Sequence, residues 1–268
     1  MNLCTEKVNY RTVKILKKLC LFIILITASL TLTSCSGKRL EEANKKQEKA
    51  DLYYKMGEME FERRNFPIAL QNLHMSEELD PKSTSTQNLL GLSYFARRMY
   101  PEAEKHFKKA LDMNTTFSSA RMNLGALYLE TKRWDKAIYE YDILLKDVYY
   151  QTPETVYNNK GWALYNKGDY AGALVNYKKA VDINGQYQVA YNNMGLVYEK
   201  LKKTSLAIES YEKSLRISEH YIDANYHLGK LLLRKDKKKA RELMNKVIQI
   251  APESEMAKSA KDYLRLLK

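Results

Sequence analysis

Residues 123–141 (NLGALYLETKRWDKAIYEY) and residues 193–211 (NMGLVYEKLKKTSLAIESY) carry one signature: an apolar residue and a glycine, a tyrosine three positions on, an alanine twelve positions on, and a tyrosine four beyond that. The pattern recurs along the chain. Glycines at 57, 91, 125, 161, 195 and 229 are separated by 34, 34, 36, 34 and 34 residues, and alanines at 69, 103, 137, 173, 207 and 240 follow them by 12 residues, or by 11 in the last case. Four residues after each alanine stands Leu73, Phe107, Tyr141, Tyr177, Tyr211 or Met244. Spacings of three and four place side chains on one helical face. A fixed period repeated six times is the mark of a solenoid of stacked helical hairpins. Each glycine follows an apolar residue except Gly161, which follows Lys160. Within a unit, the break Lys167-Gly168-Asp169-Tyr170 suits a helix that ends on a left-handed glycine and a successor that begins at an Asp cap.

These positions resemble the tetratricopeptide repeat over residues 50–253, with the family's Gly and Ala positions filled in all six units. The resemblance implies an all-α superhelical solenoid of six helix-turn-helix repeats. The family's terminal proline is met only by Pro81 and Pro252, which loosens the turns without altering the fold. No repeat of this kind buries its own apolar face, so stability comes from stacking, and the last repeat needs a cap. Residues 254–268 supply one, with Met256, Ala260, Tyr263 and Leu267 spaced for a single apolar face.

The remainder of the chain is an address. Lys7, Arg11, Lys14, Lys17 and Lys18 precede an apolar run from Leu19 to Leu32, the order of a secretory signal and too short for the roughly 20 residues of a spanning helix. Leu32-Thr33-Ser34-Cys35 resembles a bacterial lipobox, so residues 1–34 read as a lipoprotein signal peptide. The resemblance implies cleavage before Cys35 and acylation of its thiol, and two acyl chains suffice for stable anchoring. Ser36 resembles the sorting signal for the outer membrane. Residues 35–49 then read as the lipidated cysteine and a charged tether without an apolar face, reaching about 50 Å when extended. Processing takes the net charge from +13 to +9 and discards Cys4 and Cys20, leaving no free thiol. A disulfide framework and a cysteine-based zinc site are thereby disfavoured. The 45% hydrophobic and 29% charged composition argues against both wholesale disorder and a polytopic membrane protein. The basic balance raises nucleic acid or an anionic membrane as partners, and the export signal disfavours nucleic acid.

Enzyme chemistry has no obvious seat. His74, His106, His220 and His227 show no metal-ligand spacing and read as solvated, and no phosphate loop or nucleophile elbow occurs. The carboxylates read as outward surface charge; no metal, cofactor, catalytic residue or small-molecule substrate is expected. Lys230, Arg234, Lys235, Lys237, Lys238, Lys239 and Arg241 form a basic run read as a solvated turn, with anionic lipid as its alternative ligand. By the geometry of the repeat family, the first helix of each unit lines a concave groove. Its inward positions carry Tyr54 and Phe61; Asn88, Leu92 and Phe95; Met122, Ala126 and Leu129; Asn158, Trp162 and Tyr165; Asn192, Leu196 and Glu199; and Tyr226, Lys230 and Leu233. Such a groove suits an amphipathic helix or an extended apolar segment of a protein partner. It lacks the Lys and Asn pattern that chaperone-binding members use to clamp a carboxylate.

A lipobox followed by six such repeats, with a two-residue insertion around Tyr149-Tyr150-Gln151-Thr152-Pro153, resembles the outer-membrane lipoproteins of type IV pilus biogenesis, the pilotins. The resemblance implies a non-enzymatic scaffold, lipid-anchored in the outer membrane and facing the periplasm, that assists secretin localisation and multimer assembly. The alternative is a lipoprotein adaptor for peptidoglycan hydrolases or synthases.

Overall fold

The computed structural model describes Lys17 and residues 39–266; the rest of the expected signal, Cys35 and Leu267 lie outside them. The described residues form thirteen helices and no strand. The first, α1, covers residues 39–62. It pairs with α2 (Phe66–Leu79), and then α3 (Thr84–Ala96) with α4 (Tyr100–Met113), α5 (Ser118–Glu130) with α6 (Trp134–Leu144), and α7 (Pro153–Lys167) with α8 (Tyr170–Ile183). Next come α9 (Gln188–Lys200) with α10 (Thr204–Ile217) and α11 (Ile222–Leu232) with α12 (Lys237–Ile250), closed by α13 (Glu255–Leu266). The fold is an all-α repeat solenoid of six A–B hairpins and a capping helix. Two compact units divide it between Thr86 and Gln87, and each is described by itself.

In the first unit, Leu73 of α2 lies against Gly57 of α1, where a Cβ would come within 2.6 Å of its Cγ. Within the expected charged tether, residues 39–49 are helical and continue α1. Their composition, RLEEANKKQEK, holds no proline, glycine or β-branched residue, and Glu41–Lys45 forms an i, i+4 ion pair at 2.6 Å. The first repeat also shows what stacking supplies. Leu52 of α1 is 56% exposed, whereas its counterparts Ala120, Val156, Ala190 and Ala224, which each face a preceding hairpin, are fully buried.

The second unit repeats one contact. Phe107, Tyr141, Tyr177 and Tyr211 of the B helices lie fully buried against Gly91, Gly125, Gly161 and Gly195 of their A helices. A Cβ at any of these glycines would fall 2.5 or 2.6 Å from the ring. In the last repeat, Met244 takes the ring's place beside Gly229. The alanines Ala103, Ala137, Ala173, Ala207 and Ala240 are likewise fully buried, and apolar clusters span consecutive hairpins as far as Ala257 and Ala260 of the cap. Lys160 interrupts the apolar residue before glycine because it reaches Asp142 on α6 and makes a polar strut there.

The turns inside the hairpins share one geometry. The amide of Met99 bonds Tyr94 O, and the same six-residue closure joins Arg133 to Tyr128, Asp169 to Leu164, and Lys203 to Tyr198, each between 2.8 and 3.0 Å. This closure requires a left-handed residue just past the helix end. Gly168 supplies it with φ of 91°, and Asp169 caps α8 by accepting the Gly172 N–H at 2.8 Å, as expected from the sequence. The equivalent positions elsewhere hold Arg64, Arg98, Lys132 and Lys202, with φ of 57–60°. The last hairpin, one residue shorter, closes without a left-handed residue and starts α12 on an Asp236 cap.

Two predictions follow from this packing. Gly125→Ala gains about 1 kcal/mol of helix propensity but overpacks the Tyr141 ring at a cost of about 1–3 kcal/mol, for a net loss in urea unfolding. Gly125→Ala combined with Tyr141→Leu should recover part of that loss. Lys132→Gly should stabilise by up to about 1 kcal/mol and Gly168→Ala should destabilise by a similar amount, because a left-handed residue with a Cβ costs about 1–2 kcal/mol and glycine recovers most of it.

Candidate functional site

The A helices of the second unit touch one another as well as their own B partners: α5 meets α7, α7 meets α9, and α11 meets α13. Contact of this kind places the A helices on the tightly curved inner side of that unit. Side-chain amides tie the row together. Asn123 donates to Asn88 Oδ1 and Asn193 to Asn158 Oδ1, both at 2.9 Å, while Asn159 approaches Met122 Sδ at 3.9 Å where no asparagine is offered.

Among the groove residues expected from the sequence, Leu92, Phe95, Met122, Leu129, Tyr165, Leu196, Tyr226 and Leu233 are half-buried, each packed on a core cluster and each leaving a face open. Asn88 and Trp162 are half-buried too. Trp162 stacks on Tyr165 with centroids 5.2 Å apart and planes 14° from parallel, and Tyr165 leans on Tyr170. Phe95 leans on Tyr100 in the same way two repeats earlier. Asn158 and Asn192 depart from the expectation. They are 6% and 3% exposed, and Asn158 accepts from Asn193, so both amides are interior and not open groove contacts. In the first unit, Tyr54 and Phe61 are half-buried on α1; Phe61 packs on Phe66. Burial and the neighbouring Glu58, 3.2 Å away, push the Tyr54 hydroxyl up to about 12.

Sequence reasoning missed the polar partners. His106 is buried and bonds Gln87 Oε1 at 2.8 Å, so it is not solvated, and His227 is also largely enclosed. Several carboxylates are inward. Glu140 pairs with Arg121 at 2.7 Å, both nearly out of solvent, and Glu104 collects Lys108, Arg133 and the Tyr128 hydroxyl. Glu199 occupies the groove position that carries Phe95, Leu129, Tyr165 and Leu233 in other repeats. It accepts the Tyr211 hydroxyl at 2.6 Å and lies 3.3 Å from both Lys230 Nζ and His227 Nδ1, the latter misaligned for a hydrogen bond. The one sequence signal for this cluster was an acid in an otherwise apolar register. Among the described residues, no group of three His, Cys, Asp or Glu side chains is placed to hold a metal, and no helix is long and apolar enough to cross a membrane. A depression of about 490 Å³ near Thr116, Arg121, Ile143 and Asp147 lies away from the groove.

Burial alone would raise the Glu199 carboxyl, but contacts from His227 and Tyr211 and the Lys230 charge outweigh it and hold the group down at about 2. Its ordinary value is 4.5, so the stabilisation is complete above that pH and is lost as pH falls from 4.5 towards 2. Unfolding free energy should therefore drop over that window. In Glu199→Gln the drop should be shallower, with the gap between the two proteins narrowing from pH 7 to pH 3. A gap of constant size would refute this assignment.

Comparison with known proteins agrees with the geometry. Models described as tetratricopeptide repeat match residues 88–154, 189–221 and 223–254, and one described as TPR repeat matches residues 161–202, together spanning more than half of the chain. The chain is 24% identical over 186 residues to anaphase-promoting complex subunit 3 of Schizosaccharomyces pombe, covering 69% of this chain but only 23% of that protein. It is 24% identical over 215 residues to the type IV pilus assembly protein PilF of Pseudomonas aeruginosa, covering 79% of this chain and 71% of PilF. The solved structure of P. aeruginosa PilF superposes with a TM-score of 0.69 at 19% identity, over 81% of this chain and 98% of that one. PilW, described as a widely conserved type IV pilus biogenesis factor, superposes with a TM-score of 0.71 at 18% identity, over 79% and 98%. At such identities the superpositions establish the fold. The six filled Gly–Ala registers, the buried rings seated on those glycines and the matched repeats together place this chain in the tetratricopeptide-repeat family.

Proposed function

We propose that this chain is a lipid-anchored scaffold of type IV pilus biogenesis, held to the outer membrane through Cys35 and facing the periplasm, that grips a secretin protomer in the groove of its A helices. The observation that carries the reading is the run of half-buried apolar side chains on the A side of five successive hairpins: Phe95, Leu129, Trp162 with Tyr165, Leu196, and Leu233 just past α11. Side chains with one face packed and one face open are pre-positioned, so a partner segment docks on them with little further loss of side-chain entropy. The similarity to PilF, described as a type IV pilus assembly protein, over most of both chains supports the placement in pilus biogenesis. Anchoring near a membrane raises the local concentration of the captured protomer, which favours ring assembly without any catalytic step.

Phe95→Ala together with Trp162→Ala should abolish secretin capture while helicity is retained and melting falls by only a few degrees, since both side chains are half-buried and each keeps one face packed. Deleting the gene should remove secretin multimers and twitching. Intact multimers accompanied by altered cell shape would overturn the secretin assignment in favour of a cell-wall adaptor, and metabolic acyl labelling that survives Cys35→Ser would overturn the anchor.

A further inference from the structure

The A–B turns of the second unit all fall at the same end of their hairpins, and four of the five, all but the Lys167-Gly168-Asp169 turn between α7 and α8, carry exposed cations outside ion pairs. Arg97 and Arg98 follow α3, Lys132 follows α5, Lys200 ends α9 with Lys202 and Lys203 after it, and Arg234 and Lys235 lie between α11 and α12, which opens with Lys237 and Lys238. All ten side chains are exposed, and none forms an ion pair with a described residue. Lys167 and Arg133, at the same edge, are paired with Asp135 and Glu104. The acids within these turns, Asp169 and Asp236, are engaged as helix caps, and Glu130 accepts the Tyr100 hydroxyl. The opposite edge is different. Its five B–A segments, residues 114–117, 145–152, 184–187, 218–221 and 251–254, hold Lys146 against Asp147, Glu219 and Glu253.

Three of these cations, Arg98, Lys132 and Lys202, stand where the backbone is left-handed and glycine is the easier choice. A local backbone cost is thus accepted at three turns that carry charge outward. The edge also borders the groove. Phe95, Leu129, Tyr165 and Leu233 sit one to three residues before the turns, in the last turn of each A helix or just past its end. A row of half-buried apolar side chains therefore runs beside a row of unpaired cations.

We infer that this edge docks the acidic face of the partner segment whose apolar face lies in the groove, so the occupant is an acidic amphipathic segment of a protein. The inference rests on the groove reading above and adds the charge of the partner. A flat anionic bilayer would reach the exposed cations but not the apolar row recessed on the concave side, whereas a helix or strand of a protein meets both. Charge complementarity at such a rim governs association rate and salt dependence.

The test uses the full chain in neutral detergent and fluorescence anisotropy with two synthetic amphipathic helices, one bearing leucine and glutamate faces and one bearing leucine and lysine faces. The glutamate peptide should bind at least about tenfold more tightly than its lysine isomer and weaken as salt is raised. Combining Arg97→Glu, Arg98→Glu, Lys202→Glu and Lys203→Glu should weaken it at least about tenfold, and neutralising the same four residues to Gln should give an intermediate loss. Lys146→Glu on the other edge should leave binding within about twofold. Equal binding of the two peptides, an equal loss from Lys146→Glu, or no loss from the fourfold variants at unchanged helicity would overturn the inference. So would edge-dependent binding of phosphatidylglycerol vesicles without binding of the glutamate peptide. If Phe95→Ala with Trp162→Ala abolishes secretin capture while the fourfold variants retain it, the edge assignment falls and the groove assignment stands.

Discussion

A ring laid where a Cβ would be is the contact on which the architecture depends. Phe107, Tyr141, Tyr177 and Tyr211 each occupy space that only a glycine on the facing A helix leaves free. The contact fixes how closely the two helices of a hairpin approach, and the buried alanines set the approach of the neighbouring surface. Once that distance is fixed, the turn that joins the helices has one economical closure. It recurs with left-handed residues at positions 98, 132, 168 and 202. The hairpins are then alike enough to stack, and stacking buries the apolar stripe that no single hairpin can bury alone.

Polar side chains occupy places where this scheme leaves the interior incompletely filled. Tyr177 buries a hydroxyl that finds no hydrogen-bond partner among the described residues, while Tyr211 places its hydroxyl on Glu199. That acid is in turn held by Lys230 and His227 of the next repeat. The asparagine pairs 88–123 and 158–193 do the same work between neutral groups, linking one A helix to the next. Each such group loses hydration when the hairpins stack, so a partner on the adjacent hairpin is needed to offset the cost. Lys160 and Asp142 are the clearest case: a charge at a position that is apolar in the other repeats, tolerated because its counter-ion arrives from the preceding hairpin.

The combination of a recessed apolar row and a bordering cation row gives the second unit two recognition chemistries side by side. Apolar contact supplies most of the affinity when side chains are already ordered, while exposed charges steer and select. The charge of the chain as a whole, which in isolation suggests nucleic acid or membrane, is concentrated in part along one edge of the repeat array. Its position beside the groove makes a protein segment the better match.

Glycine and alanine spacing made the hairpins, their number, the buried rings, the Gly168 turn with its Asp169 cap and the closing helix legible from the amino-acid sequence. These features depend on periodicity within one hairpin, which is a property of the linear chain. The burial of His106, Asn158 and Asn192, the inward turn of Glu104, Glu140 and Glu199, and the helical state of residues 39–49 were not legible in the same way. For the buried groups, the deciding neighbour lies in another helix, about 20 to 35 residues away in most cases, and whether a polar side chain faces water or a partner depends on what that helix offers. The sequence by itself therefore determined which residues build each hairpin. Only the tertiary structure decided which polar groups pair across hairpins and which charges remain free, because desolvation is settled by stacking and not by spacing.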